Sequence, residues 1–130
     1  MSTLSAFTNQ LQNLINNLSK MYPNDPDIIF SKTTVGFIKR TNPRKLSEIF
    51  NKYVKQYESQ IMSKDEEFLM NNNFTEGDNI EIINQKIDYA ESIIANLRKY
   101  WSSMDDDSKE NIWKYLQVLI ILNNKCTLSR

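Results

Sequence analysis

Histidine is absent from the 130 residues, and cysteine occurs once, at position 126. Without an imidazole the chain has neither the commonest general base nor the commonest zinc ligand, and no His-containing triad can form. One thiol excludes an internal disulfide and a thiolate-cluster metal site, and Cys126 has no histidine to activate it. Glycine is limited to Gly36 and Gly77, too few for a glycine-rich phosphate loop. No stretch approaches the roughly 18 apolar residues that would cross a membrane. The first eighteen residues are uncharged and amphipathic, without the basic start and solid apolar block of a secretory signal. The expected setting is therefore intracellular and reducing, and not secreted. In that setting the glycosylation patterns at Asn17 and Asn73 carry no weight. Any two carboxylates could meet in space as an acid/base pair, but nothing in the pattern selects one. A non-enzyme with no cofactor is expected.

What is present is the composition of an ordinary folded protein, 40% apolar and 25% charged. One domain over 1–130 is expected, burying roughly two thirds of its unfolded surface. Asn (16), Ile (15) and Lys (12) dominate while Ala occurs three times, a bias toward AT-rich codons that we read as genomic background. The sixteen basic and sixteen acidic residues cancel, but not locally. Residues 1–57 hold eight Lys/Arg and three Asp/Glu, a net of +5, and residues 58–130 hold eight and thirteen, a net of −5. Such a split marks either a binding face or two halves that attract each other; the second is expected in so small a domain.

The periodicity is helical nearly everywhere. Leu4, Phe7, Leu11, Leu14, Leu18 and Met21 form one stripe, with Ile15 beside it. Asp25 as cap and Pro26 at the first position open a second helix, running to about Arg40 through Ile29, Phe30, Phe37 and Ile38. Asn42 and Pro43 repeat the device for a third, with Leu46, Ile49, Phe50, Tyr53, Tyr57 and Ile61 on one face. Ser63 to Glu66 reads as a capping box ahead of a short helix. Asp78 with Glu81 caps a long helix reaching about Ser102, and the last helix runs from Asp106 or Asp107 to about Asn124. The expected fold is all-α, a single-domain bundle of five main helices plus one short one, with a flexible tail from about 125 to 130.

Three helices carry more apolar or uncharged surface than a simple amphipathic pattern needs. In the last helix, Ile112, Trp113, Tyr115, Leu116, Val118, Leu119, Ile120 and Leu122 cover about 220°, as in a central element. Ile121 lies outside that arc, among Lys114, Gln117 and Asn124. The long helix has two stripes, one through Ala90, Ile94, Leu97 and Trp101 and one through Tyr89, Ile93 and Tyr100, so it should touch two neighbours. The first helix has no charge from Ser2 to Ser19, where a solvated face normally carries Lys and Glu pairs. Its face with Asn9, Asn13 and Asn16 reads either as Asn-rich background or as a contact surface. With Ile121 these residues form the candidate interaction surface, for a protein partner or another copy of the chain.

The second candidate is basic. Lys39, Arg40, Arg44, Lys45, Lys52 and Lys55 fall within a short stretch that has one acid, Glu48. Three of these cations surround the expected start of the third helix, where free N–H groups favour a phosphate or carboxylate. The chain's pI near 6.3 and the lack of a nucleic-acid-reading motif weigh against that use. Asp105 to Asp107 lack the ligand alternation of a calcium loop, and capping explains them better.

Phe37 to Leu46, Lys64 to Leu69, Tyr100 to Met104 and Lys109 to Leu116 resemble segments of small helical proteins of large amoeba- and alga-infecting DNA viruses. The resemblance spans about residues 26 to 125, and the codon bias suits the Mimivirus side of that group. It implies an α-helical fold and a viral source, and carries over no site residue. The expectation is thus a non-enzymatic structural or interaction protein of such a virus, virion-associated and self-associating. The alternative is a nucleic-acid- or phosphate-associated factor using residues 39–55. No membrane association is expected.

Overall fold

Most helices of the computed structural model, which describes residues 2–70 and 89–128, start where the chain offers a cap or a proline. Helix α1 spans Thr3–Met21, and the Ser2 side chain accepts from Ser5 N–H. Helix α2 spans Pro26–Thr41, with Asp25 Oδ1 accepting from the N–H groups of Asp27 and Ile28 at 2.9 and 3.3 Å. Helix α3 spans Pro43–Tyr53, and here the expected Asn42 cap does not form: its side chain bonds no helix N–H. Pro43 at the first position lacks the N–H that a helix start leaves unpaired, so the helix opens there without the cap.

The expected third helix is divided. After α3 a single 3₁₀ turn, Lys55–Tyr57, redirects the chain into α4, Glu58–Met62. The break lets α4 lie on the last helix, where Gln117 Nε2 donates to the carbonyls of Ile61 and Met62 at 3.2 and 3.3 Å. Lys64 then adopts φ 56°. Lys64 N–H donates to Ile61 O and Asp65 N–H to Gln60 O, the paired bonds of a Schellman ending made with lysine where glycine is usual. The expected capping box is replaced: Asp65 caps α5, Glu67–Met70, while Glu66 accepts from Trp101 Nε1. The expected long helix is described over α6, Tyr89–Tyr100, followed by a 3₁₀ turn to Ser103; its earlier part, including Asp78 and Glu81, lies outside the described residues. Helix α7 spans Asp106–Leu128, with Asp105 Oδ1 accepting from Ser108 N–H at 2.7 Å. It outruns the expected end at Asn124, and Cys126, expected in a frayed tail, is buried.

Helix α1 packs against α2, α3 and α7, and α2 also against α3 and α6; α4 lies on α7 and α5 on α6. The fold is a single all-α domain, with no strand among the described residues. Its core joins Phe7, Leu11, Leu14 and Leu18 of α1 to Leu46 and Phe50 of α3 and to Ile112, Leu116 and Leu119 of α7. Phe7 meets Phe50 edge-on with centroids 5.2 Å apart, and Trp101 meets Trp113 at 5.1 Å and 70°. Burying each such side chain stabilises the fold by roughly 1.5–3 kcal/mol. Inside, Ser47 Oγ donates to Asn123 Oδ1 at 2.7 Å and Asn123 Nδ2 to Asn51 Oδ1 at 3.1 Å, whereas the buried Ser31 Oγ has no partner among the described residues. Both expected stripes of α6 are used, since Tyr89, Ala90, Ile93, Ile94, Leu97 and Trp101 are all buried.

Candidate interaction surfaces

Helix α7 is less enclosed than a 220° apolar arc implies. Its buried residues, Ile112, Trp113, Leu116, Leu119, Ile120, Asn123 and Cys126, cover about 140°. Val118, placed in the arc by pattern alone, is 39% exposed, and Ile121 is 45% exposed; Lys114 and Lys125 lie on the same outward side.

The outward face of α1 is a straight line of Ser5, Asn9, Asn13 and Asn16, all exposed and uncharged, ending at Lys20. Lys39 of α2 crosses to this face, donating to Asn9 Oδ1 and Gln12 Oε1 at 2.7 Å each. That contact holds the antiparallel pair together and takes Lys39 out of the candidate basic set. Asn9 is partly engaged by it; Asn13 and Asn16 make no side-chain hydrogen bond among the described residues.

Among the described residues, helix α2 holds three of the exposed large apolar side chains. Ile28, Ser31, Val35 and Ile38 face inward, which sends Ile29, Phe30 and Phe37, expected along the core side, to the surface at 49%, 47% and 56% exposure. On a helical wheel Pro26, Ile29, Phe30, Thr33, Phe37, Arg40 and Thr41 share an outward arc of about 120°, with Arg40 its single charge. The Arg40 Nη1 atom lies 3.7 Å from where a Cβ on Gly36 would stand, so the guanidinium leans over the helix's own glycine. A wheel of α2 shows the signal that run-by-run reading missed: apolar residues on two opposite sides of one helix.

The remaining cations are exposed. Arg44, Lys45 and Lys52 share an arc of about 100° on α3, with Glu48 in its middle. Lys55 follows in the 3₁₀ turn. Among the described residues no carboxylate lies in ion-pair range of Arg40, Arg44, Lys45, Lys52 or Lys55; the ion pairs join Lys64 to Glu110, Lys99 to Asp25 and Lys109 to Glu66. The Lys99–Asp25 pair joins the two halves, with the acid, Asp25, from the basic half.

Asp25 is the most connected polar residue. Buried at the α1–α2 corner, it accepts from Tyr100 Oη and from Lys99 Nζ at 3.0 Å, besides its two cap bonds. Burial pushes its pKa up, but the bonds from Tyr100, Lys99 and the two N–H groups outweigh burial and hold it below the usual carboxylate value. The same bond to Asp25 raises Tyr100, and Lys99 is raised chiefly by Asp25 as well. Tyr22 stacks on Tyr100 with centroids 3.8 Å apart. Every partner of this carboxylate belongs to the fold, so it works as a cap and a tie between α2 and α6. No group of three or more acidic or thiol side chains fit to hold a metal occurs among the described residues.

Together these features define a small all-α bundle whose distinctive chemistry lies on its outer surface. Comparison with protein-family models, with curated proteins and with solved structures gave no match. No described helix is long and apolar enough to cross a membrane.

Proposed function

We propose that this chain is a non-enzymatic structural component that assembles with copies of itself, and, following the resemblance to small helical proteins of large DNA viruses, that it serves as a virion component. The observation that carries this reading is the outward face of α2, where Ile29, Phe30 and Phe37 stand about half exposed on one side of a single helix. The neighbouring face of α1 supports a second copy as the occupant. Its own residues carry no charge before Lys20, and the Lys39 ammonium that reaches it is held by Asn9 and Gln12. Each asparagine amide both donates and accepts, so a row of them is complementary to itself. The chemistry of the chain fits a non-catalytic role: it has no histidine, and its one thiol is buried.

Sedimentation velocity over a concentration series tests this. The wild-type chain is expected to self-associate in a way that high salt does not abolish, and the Phe30→Glu/Phe37→Glu variant is expected to stay monomeric with an unchanged circular dichroism spectrum. A wild-type chain that remains a monomer at all concentrations would overturn the reading. One observation favours a second reading, nucleic-acid or phosphate association: the cations on α3 have no ion-pair partner among the described residues.

A further inference from the structure

Among the described residues, Tyr22 and Tyr100 are the two tyrosines whose rings stack on each other, with centroids 3.8 Å apart and planes 8° from parallel. They come from distant parts of the chain: Tyr22 follows the end of α1, and Tyr100 closes α6. Both are partly exposed, so a small solute can reach either ring. Tyr100 Oη donates to Asp25 Oδ2, which also accepts from Lys99 Nζ at 3.0 Å, while Oδ1 takes the N–H groups of Asp27 and Ile28. A phenol bonded to a carboxylate has an acceptor for its proton already in place. Loss of one electron makes a phenol strongly acidic, so even a carboxylate held below its usual pKa takes that proton. Because the proton leaves with the electron, the Tyr100 ring becomes a neutral radical. Lys99 Nζ, 5.0 Å from the ring centroid, then meets no new positive charge there.

We propose that Tyr22 and Tyr100 form an oxidative cross-linking site, which a one-electron oxidant driven by peroxide joins, ring carbon to ring carbon, into a dityrosine within one chain. Each phenol gives one electron to the oxidant and loses one proton, from Tyr100 to Asp25 and from Tyr22 to water. The two phenoxyl radicals, already stacked, pair their electrons in one new bond between the ring carbons next to the C–O carbons. The hydrogen on each of those carbons then moves to its own oxygen and restores two phenols. In all, two electrons and two protons leave the pair, and one hydrogen peroxide accepts them as it becomes two waters. The link fixes covalently the corner that Asp25 ties through hydrogen bonds. It closes the chain between Tyr22 and Tyr100 and constrains the unfolded state as a disulfide would, in a sequence whose one cysteine allows none. The site stands apart from the self-assembly reading, because both rings belong to one copy.

The test illuminates the dilute wild-type chain with tris(bipyridine)ruthenium and persulfate, a small one-electron photo-oxidant. The single chain is expected to lose the mass of two hydrogen atoms and to gain the blue fluorescence of dityrosine. Peptide mapping is expected to join Tyr22 to Tyr100, and the linked chain to unfold at higher urea than the untreated one. Tyr22→Phe and Tyr100→Phe are each expected to abolish the product, and Tyr115→Phe to leave it unchanged. Asp25→Asn keeps the helix cap and removes the proton acceptor, so it should slow the reaction at least about tenfold. The wild-type peptide map needs no variant to fold and is decisive by itself. A link mapped to any other pair of tyrosines, links between copies only, no link at all, or a product that persists in Tyr100→Phe would overturn the proposal. An unchanged rate in Asp25→Asn would overturn the part given to Asp25.

Discussion

Replacing Asp25 with alanine removes three kinds of interaction at one atom group, and the structure sets the size of each. The helix cap is worth about 1 kcal/mol. Hydrogen bonds to a buried carboxylate are worth about 1.5–3 kcal/mol, and the Tyr100 bond is of that kind. The Lys99 side chain is 55% exposed, so solvent limits its ion pair to at most about 1 kcal/mol. These contributions overlap on one side chain, and Asp25→Ala is expected to cost about 2–4 kcal/mol. Asp25→Asn keeps the cap and loses the charge, and should cost about 1–2 kcal/mol. Urea unfolding followed by the fluorescence of Trp101 and Trp113, both buried, reads these values directly. The folded pKa of Asp25 lies below its unfolded value of about 3.9. Its contribution is therefore complete above about pH 4 and is lost as pH falls through the folded value. The gap between wild type and Asp25→Asn should accordingly narrow below about pH 4. A cost under about 0.5 kcal/mol for Asp25→Ala, or a gap that stays constant in acid, would refute the tie between α2 and α6.

Leu119, fully buried on α7, should cost roughly 2–5 kcal/mol when replaced by alanine, and a urea midpoint shift equivalent to less than about 1 kcal/mol would place α7 outside the core. If the nucleic-acid reading holds, a single-stranded oligonucleotide should bind at low salt and be released at high salt, and Arg40→Glu/Arg44→Glu/Lys45→Glu should abolish binding. No fluorescence-anisotropy change at low salt would end that reading.

The helix starts were legible because their signals are local. Asp25-Pro26 and Asn42-Pro43 mark α2 and α3 to the residue, since proline has lost the N–H that a helix start leaves unpaired. The break after Tyr53 was not legible. No glycine or proline stands there, and the apolar spacing through Tyr57 and Ile61 continues across it. The redirected α4 packs on α7, where Gln117 donates to the carbonyls of Ile61 and Met62 at its far end, and α7 is distant along the chain. The αL position at Lys64 escaped for the same reason, being held by a helix ending and by Glu110 rather than by glycine. On the surface, the exposed Ile121 stood out from its polar neighbours in the sequence, whereas Ile29, Phe30 and Phe37 blended into an apolar helix. Which of two apolar sides faces inward depends on where α6 and α1 lie, and no local pattern contains that.

Cys126 sits near the end of α7, buried at 4% exposure, and it is the chain's one sulfhydryl. A thiol reagent can reach it only when the last turns of that helix lift from the bundle. The rate at which the native chain is labelled therefore clocks the opening of its own terminus, with no residue added or removed to report it. Compared between free and assembled protein, that clock would tell whether neighbours clamp the end of α7 or leave it as free to open as in a single copy.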